Sequence, residues 1–373
     1  MNISKRDALS WFEFFASLED EPLMPRQQEL ALAVMYQLER AQDARIGALA
    51  SEIKGLKSLD GRTYYVGPDA RFAKGCRSCL MGTGLSAVRR TNRCNLRCKF
   101  CYDYGEMESQ PPIGEGMWEI GGTKFYAHDL DLLLSASRRP TGIAYVYLEP
   151  FMEIGVYYDV IRKFHEAGVY QHMYTNGTLA TEENLRALGE AGLDELRFNL
   201  GASGCADRVI EMIGAAKRHI PMVGIETPMT PELYAAFFEK KDAILATGLD
   251  FVNCAELHLN PNNIDNYYGE PMYMCRQGYV SPVWSRELTL KLMKQADDEG
   301  WDVAIHDCSN RTKFARDLNL RAKEGGWFGA SSYACEFDAI PYAYFLPILR
   351  DERYPFVSEE PLPEGFRPGD IVL

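Results

Sequence analysis

The chain has 373 residues, 46% of them apolar and 25% charged, which is enough to bury one large or two moderate cores and too apolar for a disordered polypeptide. A formal charge of −13 argues against a nucleic-acid partner, because binding a phosphate backbone relies on clustered Lys and Arg. From Lys5 to about Leu56 the apolar residues recur at helical spacing. Trp11, Phe14 and Phe15 come first, then Leu30, Leu32, Ala33, Tyr36 and Leu38, with Pro25 suited to a helix start. Lys5, Arg6, Asp7, Glu13 and Glu19 interrupt this segment, so it lacks the apolar core of a signal peptide, and no later run reaches the length of a membrane span. Ten cysteines in such a chain read as reduced thiols and metal ligands, and a cytoplasmic protein with no membrane association is expected.

From Cys76 to about Leu259, β-rich runs alternate with helical segments, the pattern of βαβ units on a parallel sheet. Six strands are predicted: Ser86–Thr91, Ile143–Glu149, Val169–Thr175, Glu195–Leu200, Met222–Thr227 and Phe251–Leu259. Thr230 before Pro231 marks one helix start, and Gly192 and Gly248 fall just past two helix ends. Six repeats fit a partial (β/α)6 TIM-type barrel rather than a closed one of eight. The predicted organisation is an N-terminal helical extension over 1–75, the barrel over 76–300, and a C-terminal cap over 301–373. That cap holds a strand at Trp301–His306, a helix at Lys313–Glu324 and the apolar run Ile340–Ile348.

Directly after the first strand, Cys94, Cys98 and Cys101 are separated by three and then two residues. Zinc sites favour two cysteine pairs a dozen or more residues apart, which a triplet does not provide. An iron–sulfur cluster normally takes four thiolates, so three on one loop leave one iron without a protein ligand and available to a reactant. This spacing, with the aromatic Phe100 just before the third cysteine, resembles the radical S-adenosylmethionine (radical SAM) enzymes. The resemblance implies a partial barrel with the cluster loop after its first strand. It also implies reductive cleavage of S-adenosylmethionine at a [4Fe–4S] cluster to a 5′-deoxyadenosyl radical, and a flavodoxin or ferredoxin as reductant.

Three more positions are similar to those the family uses for S-adenosylmethionine. Tyr147-Leu148-Glu149-Pro150 stands where the family usually has Gly-Gly-Glu, keeping the acid and losing both glycines. Thr175-Asn176-Gly177-Thr178 resembles the family's Thr-Asn-Gly turn, and Asn199 a position that often contacts the cofactor. A second set, Cys76 and Cys79 upstream and Cys308 in His306-Asp307-Cys308-Ser309, is similar to a little-described branch of the family. These three are expected to hold an auxiliary cluster, with Cys335 or Cys275 as fourth ligand or the substrate in its place.

Read with period two, the strands place Tyr145, Tyr147, Glu149, Arg197, Asn199 and Glu226 in the barrel interior, together with Val252, Cys254, Glu256 and His258. Phe251, Ala255, Leu257 and Leu259 are then left to meet the helices. Buried carboxylates in such number must pair, hydrogen-bond or line a wet cavity, so a polar substrate chamber and a structural ion network are both open. Glu226 is expected to bind the cofactor, while Arg197, Cys254, Glu256 and His258 are expected to act on the substrate, with Cys254 as a hydrogen-atom donor if the reaction is an epimerisation. The expected function is oxidation, or another modification needing two clusters, of a small molecule or peptide.

Overall fold

The computed structural model describes residues 42–59, 63–81, 85–90, 93–101, 113–120, 123–135, 142–146, 148–259, 263–267, 269–274 and 280–310. The helices expected before residue 42, the cap beyond 310, and Tyr147, Cys275 and Cys335 lie outside these residues. The described strands are β1 (Lys57–Ser58), β2 (Tyr64–Val66), β3 (Leu85–Arg89), β4 (Met117–Ile120), β5 (Thr123–Tyr126), β6 (Gly142–Tyr145), β7 (Tyr170–Thr175), β8 (Glu195–Phe198), β9 (Met222–Thr227), β10 (Phe251–Ala255), β11 (Met272–Met274), β12 (Val280–Pro282) and β13 (Ala304–Cys308).

Eleven of them form one sheet in the order β1-β2-β13-β10-β9-β8-β7-β6-β3-β4-β5. The six predicted strands are β3 and β6 to β10, all parallel, and the sheet ends at β1 and β5 without closing, as a partial barrel does. The strand expected at 301–306 is β13, which pairs in parallel with β10 and makes a seventh parallel strand of the sheet. The long helix Val283–Glu299 supplies the crossover that such a pairing requires. The hairpin β4–β5 and the pair β1–β2 add the antiparallel edges.

Local chemistry explains the helix boundaries. Thr230 accepts a hydrogen bond from the Leu233 amide with Pro231 in the first turn, and Thr181 exchanges bonds with Asn184 at the start of Glu182–Ala191. That helix stops at Gly192, whose φ of 93° lies in the left-handed region. Outside the sheet, Met173, Leu196, Phe198, Val223, Ile225, Val252 and Ile305 join Ile161, Phe164, Leu188, Ile213, Leu290 and Met293 of the helices in one core. Each buried side chain of this kind stabilises the fold by roughly 1.5–3 kcal/mol.

A separate apolar cluster fills the end of the barrel where the strands begin. Helix Lys74–Met81 enters there and buries Cys76 and Leu80 against Met222, Phe251 and Ala304, each the first residue of its strand. Phe251 therefore points inward, which reverses the expected faces of β10. Val252 and Cys254 pack in the outer core, and Asn253 faces the interior with Phe251. The period is as predicted, but the apolar residue at this end belongs to the plug and not to the helices; with period two, one misplaced residue turns every side chain over. Gly224 makes the space, since a Cβ there would lie 2.5 Å from the Phe251 ring. Tyr145 is likewise on the outer face, where its hydroxyl donates to Gln171 at 2.6 Å and its ring meets Tyr157.

Candidate functional site

The loop carrying Cys94, Cys98 and Cys101 leaves β3 at the carboxyl end of the parallel strands, where open α/β sheets place their ligands. It is held from four neighbouring strand ends, through main-chain carbonyls at two of them and side chains at the other two. After β6, the Glu149 amide donates to the Arg93 carbonyl at 3.1 Å. After β7, Asn176 donates to Asn95 Oδ1 at 2.9 Å, while Asn95 Nδ2 donates to Thr178 Oγ1 at 2.8 Å. After β9, Glu232 pairs with Lys99 at 2.5 Å. After β10, Asn263 and Asn266 donate to the carbonyls of Phe100 and Lys99 at 3.3 and 2.9 Å. Neither asparagine is among the expected site residues. Asn260-Pro-Asn-Asn-Ile-Asp-Asn266 reads only as turn chemistry, and the partner of each amide depends on the tertiary fold.

The three thiols are half-buried and act on one another. Burial, with Cys101 and Cys94 adding to it, pushes the Cys98 thiol up to about 12, and burial also raises Cys94 against the Leu96 amide and the Asn176 side chain, which approach its sulfur at 3.4 and 3.9 Å. Thiols held close together and hard to ionise need added positive charge to become thiolates, which iron ions supply. Among the described residues no three His, Cys, Asp or Glu side chains are grouped to hold a metal ion. A [4Fe–4S] cluster, by contrast, takes each thiolate on a different iron, so the donor set fits a cluster.

Glu149 is fully buried and spans two strand ends. Its carboxylate accepts from the Phe151 amide at 3.1 Å, the Thr175 hydroxyl at 2.7 Å and the Asn176 amide at 2.6 Å, and burial still holds its carboxyl up at about 7. Leu148 before it has a φ of 53° and so takes a left-handed conformation without being glycine, at a cost of roughly 1–2 kcal/mol. Gly177 ends the Thr-Asn-Gly turn with φ 76°, and a Cβ there would lie 2.7 Å from Val209 and 2.8 Å from Phe198. Gly177→Ala is expected to cost about 2–4 kcal/mol from strain and overpacking together, read as a lower denaturant midpoint.

Beside the loop a cleft of about 390 Å³ opens between Leu96, Arg97, Cys98, Lys99 and Phe100 on one wall and residues after β8 and β9 on the other. The second wall is formed by Gly201, Ala202, Gly204, Thr230, Glu232, Leu233 and Ala236. Asn199 is not among the lining residues but accepts from the amide of one of them, Ala202, at 3.1 Å.

Deeper in the barrel, Arg197 is buried with its Nε 2.5 Å from Glu195, its Nη1 3.0 Å from the Tyr174 hydroxyl, and a bond to Glu226. Glu195 also accepts from Tyr170 at 2.5 Å and from the Gly75 amide of the plug helix at 3.2 Å. Cys76 and Cys79, one helical turn apart, face this region. Arg197 draws the Cys76 thiol down while burial, Glu226, Glu195 and Cys308 push it up, and Tyr174 responds to both cysteines. Cys308, at the end of β13, is felt electrostatically at Cys76, but the three thiols are not grouped as a metal-holding set among the described residues. His172, not among the expected residues, stands beside Arg197, where burial and the guanidinium hold it well below the ordinary histidine range.

Other expected residues lie elsewhere. Cys254 is buried toward Thr289 of the helix Val283–Glu299, away from the chamber it is expected to line. Glu256 accepts from Tyr273 and from the Asn310 amide, near Arg286, which pairs with Asp307 at 2.9 Å. It belongs to a buried network outside the barrel, the structural alternative left open by the sequence. The carbonyl of His258 accepts from Asn263 at 3.0 Å, placing that residue near the cysteine loop.

Residues 88–220 match the sequence profile described as the Radical SAM superfamily. Over 199 residues the chain is 27% identical to the tungsten-containing aldehyde ferredoxin oxidoreductase cofactor-modifying protein of Pyrococcus furiosus, covering 47% of this chain and 52% of that protein. It thus spans about half the length of that relative. A candidate glycyl-radical enzyme activating enzyme of Methanocaldococcus jannaschii is 23% identical over 67% of each chain. Among solved structures, Streptococcus suis SuiB bound to S-adenosylmethionine aligns at 13% identity and a TM-score of 0.43, over 60% of this chain and 50% of that one. No helix among the described residues is long and apolar enough to cross a membrane.

Proposed function

We propose, from the match of residues 88–220 to the Radical SAM superfamily profile, that the chain is a radical SAM enzyme that cleaves S-adenosylmethionine reductively and uses the product to oxidise or otherwise modify a small molecule or peptide. The observation that carries the reading is the cysteine triplet, held from four strand ends beside a cleft large enough for a nucleoside. A [4Fe–4S] cluster bound there would supply the electron for cleavage of S-adenosylmethionine to methionine and a 5′-deoxyadenosyl radical.

The protein's own contribution is placement. Cys94, Cys98 and Cys101 would hold the cluster, and Phe100, Leu96 and Leu233 offer apolar walls for the nucleoside while Thr230 supplies a polar edge; Asn199, bonded to the Ala202 amide of that wall, is proposed as a further polar contact. Glu149, with Thr175 and Asn176, fixes the loop's distance from the cleft, because all three bonds to its carboxylate come from the chain itself. Enclosure by the plug helix and the strand ends limits water around the reacting groups.

Cys76, Cys79 and Cys308 are proposed to hold a second cluster, with Cys335 as fourth ligand; the support is the sequence pattern and the charge that Cys308 exerts at Cys76. Two clusters favour oxidation, since the second is able to take the electron left on the substrate, with sulfur insertion as the other two-cluster outcome. Modification of a cofactor-like small molecule has support from the Pyrococcus furiosus relative, which is a cofactor-modifying protein. An epimerase using Cys254 has less support, because that thiol faces the outer helices. The reductant is proposed to be a ferredoxin or flavodoxin.

Electron paramagnetic resonance of the anaerobically reduced protein tests the open iron. Adding S-adenosylmethionine is expected to shift the cluster signal, whereas an unchanged signal in protein holding its full iron would contradict direct binding.

A further inference from the structure

One layer of the barrel interior is drawn into the cofactor reading only through Glu226 and Asn199. Asn253 of β10 is in register with Glu226 of β9 on one side and with His306 of β13 on the other, and Asn199 follows β8 at the same level. Paired residues of neighbouring parallel strands share a face, about 5 Å apart. Phe251, two residues before Asn253, lies against Cys76 in the plug, so this face is the interior one.

Two independent observations point to what this layer takes. The first is charge: one guanidinium, Arg197, is shared by two carboxylates, Glu195 and Glu226. Glu195 is sealed, whereas the Glu226 side chain keeps 17% of its area exposed. His172, the neighbour of Arg197, is held neutral and does not cancel the surplus negative charge. The second is an unsatisfied acceptor: Asn253 is 1% exposed, and its Oδ1 has no hydrogen-bond partner. A buried acceptor without a donor is costly, and a carboxylate beside it repels anions. A metal ion is a poorer match, because no group of three His, Cys, Asp or Glu ligands forms among the described residues.

We infer that Glu226 and Asn253 form a subsite for a protonated amine, with Glu226 countering its charge and Asn253 Oδ1 accepting one of its N–H bonds. The inference rests on the reading of the barrel interior as a reaction chamber and assigns the substrate a cationic amine that points toward the plug helix. The same chemistry is carried by the ammonium of S-adenosylmethionine, so the test must separate the two sources.

The probe is n-butylamine, with n-butanol and butyrate as neutral and anionic controls, titrated into the anaerobically purified full chain with ligand-observed NMR as readout. Butylamine is expected to bind more tightly than either control and to weaken about tenfold in Glu226→Gln and in Asn253→Leu, the loss of a charge-assisted hydrogen bond. Asn253→Leu leaves the Arg197 pairs intact, so it remains informative if Glu226→Gln folds poorly. S-Adenosylmethionine affinity unchanged in both variants assigns the subsite to a substrate amine. A matching loss of S-adenosylmethionine affinity, with butylamine competing, assigns it to the ammonium of that molecule. Butylamine binding no tighter than butanol, or equal in the wild type and in folded Asn253→Leu, overturns the inference. Formation of 5′-deoxyadenosine, measured on the same samples, reports separately on the enzymatic reading.

Discussion

Replacing Cys94, Cys98 and Cys101 together by Ala is expected to remove about four irons per chain and the same amount of sulfide from anaerobically purified protein. Cys94 and Cys98, which burial makes hard to ionise, have no compensation for thiolate charge without the cluster, so partial retention at this loop is not expected. Iron and sulfide analysis of the variant also addresses Cys76, Cys79 and Cys308. About four irons surviving in the triple variant would place a cluster at the second set; none surviving, with about four in the wild type, would leave Cys76 and Cys79 as structural thiols of the plug helix. Zinc in place of iron would remove the basis of the enzymatic reading.

Arg197→Met should be the most destabilising single change in the barrel interior. Met matches much of the volume of Arg but leaves Glu195 buried without a counter-charge and Glu226 short of its partner. Removing one member of a buried ion network costs roughly 3–5 kcal/mol, a large share of the 5–15 kcal/mol that holds a typical domain folded. Chemical denaturation is expected to show a midpoint lowered in proportion. Adding Glu195→Gln and Glu226→Gln should return much of the loss, because the uncompensated charges then disappear. If Arg197→Met alone matched the wild type, the network would carry no structural weight.

The cysteine loop and the parallel strands were legible in the sequence because both are local patterns: fixed thiol spacing, and β-rich runs bounded by Thr-Pro and glycine punctuation. What holds the loop was not legible. Asn263 and Asn266 are ordinary turn residues until the fold brings their amides to the carbonyls of Phe100 and Lys99, more than 160 positions away in the chain. The faces of β10 were misread for a related reason. Phe251 is apolar on either hypothesis, and only the helix Lys74–Met81 inside the barrel makes the interior at that end apolar. The same reversal moved Cys254 and Glu256 out of the chamber and brought Asn253 in. Leu148 stands where the family usually has glycine and still adopts a left-handed backbone, held between β6 and the three bonds to Glu149, which residue type alone does not reveal.

The most direct test of the proposed activity is chromatographic detection of 5′-deoxyadenosine after anaerobic, reconstituted protein is reduced in the presence of S-adenosylmethionine. The wild type is expected to release it together with methionine, and the triple cysteine variant to release none. Wild-type protein with its full iron and sulfide that forms no 5′-deoxyadenosine, or a triple variant that forms as much, would contradict the assignment of Cys94, Cys98 and Cys101 as the centre that cleaves S-adenosylmethionine.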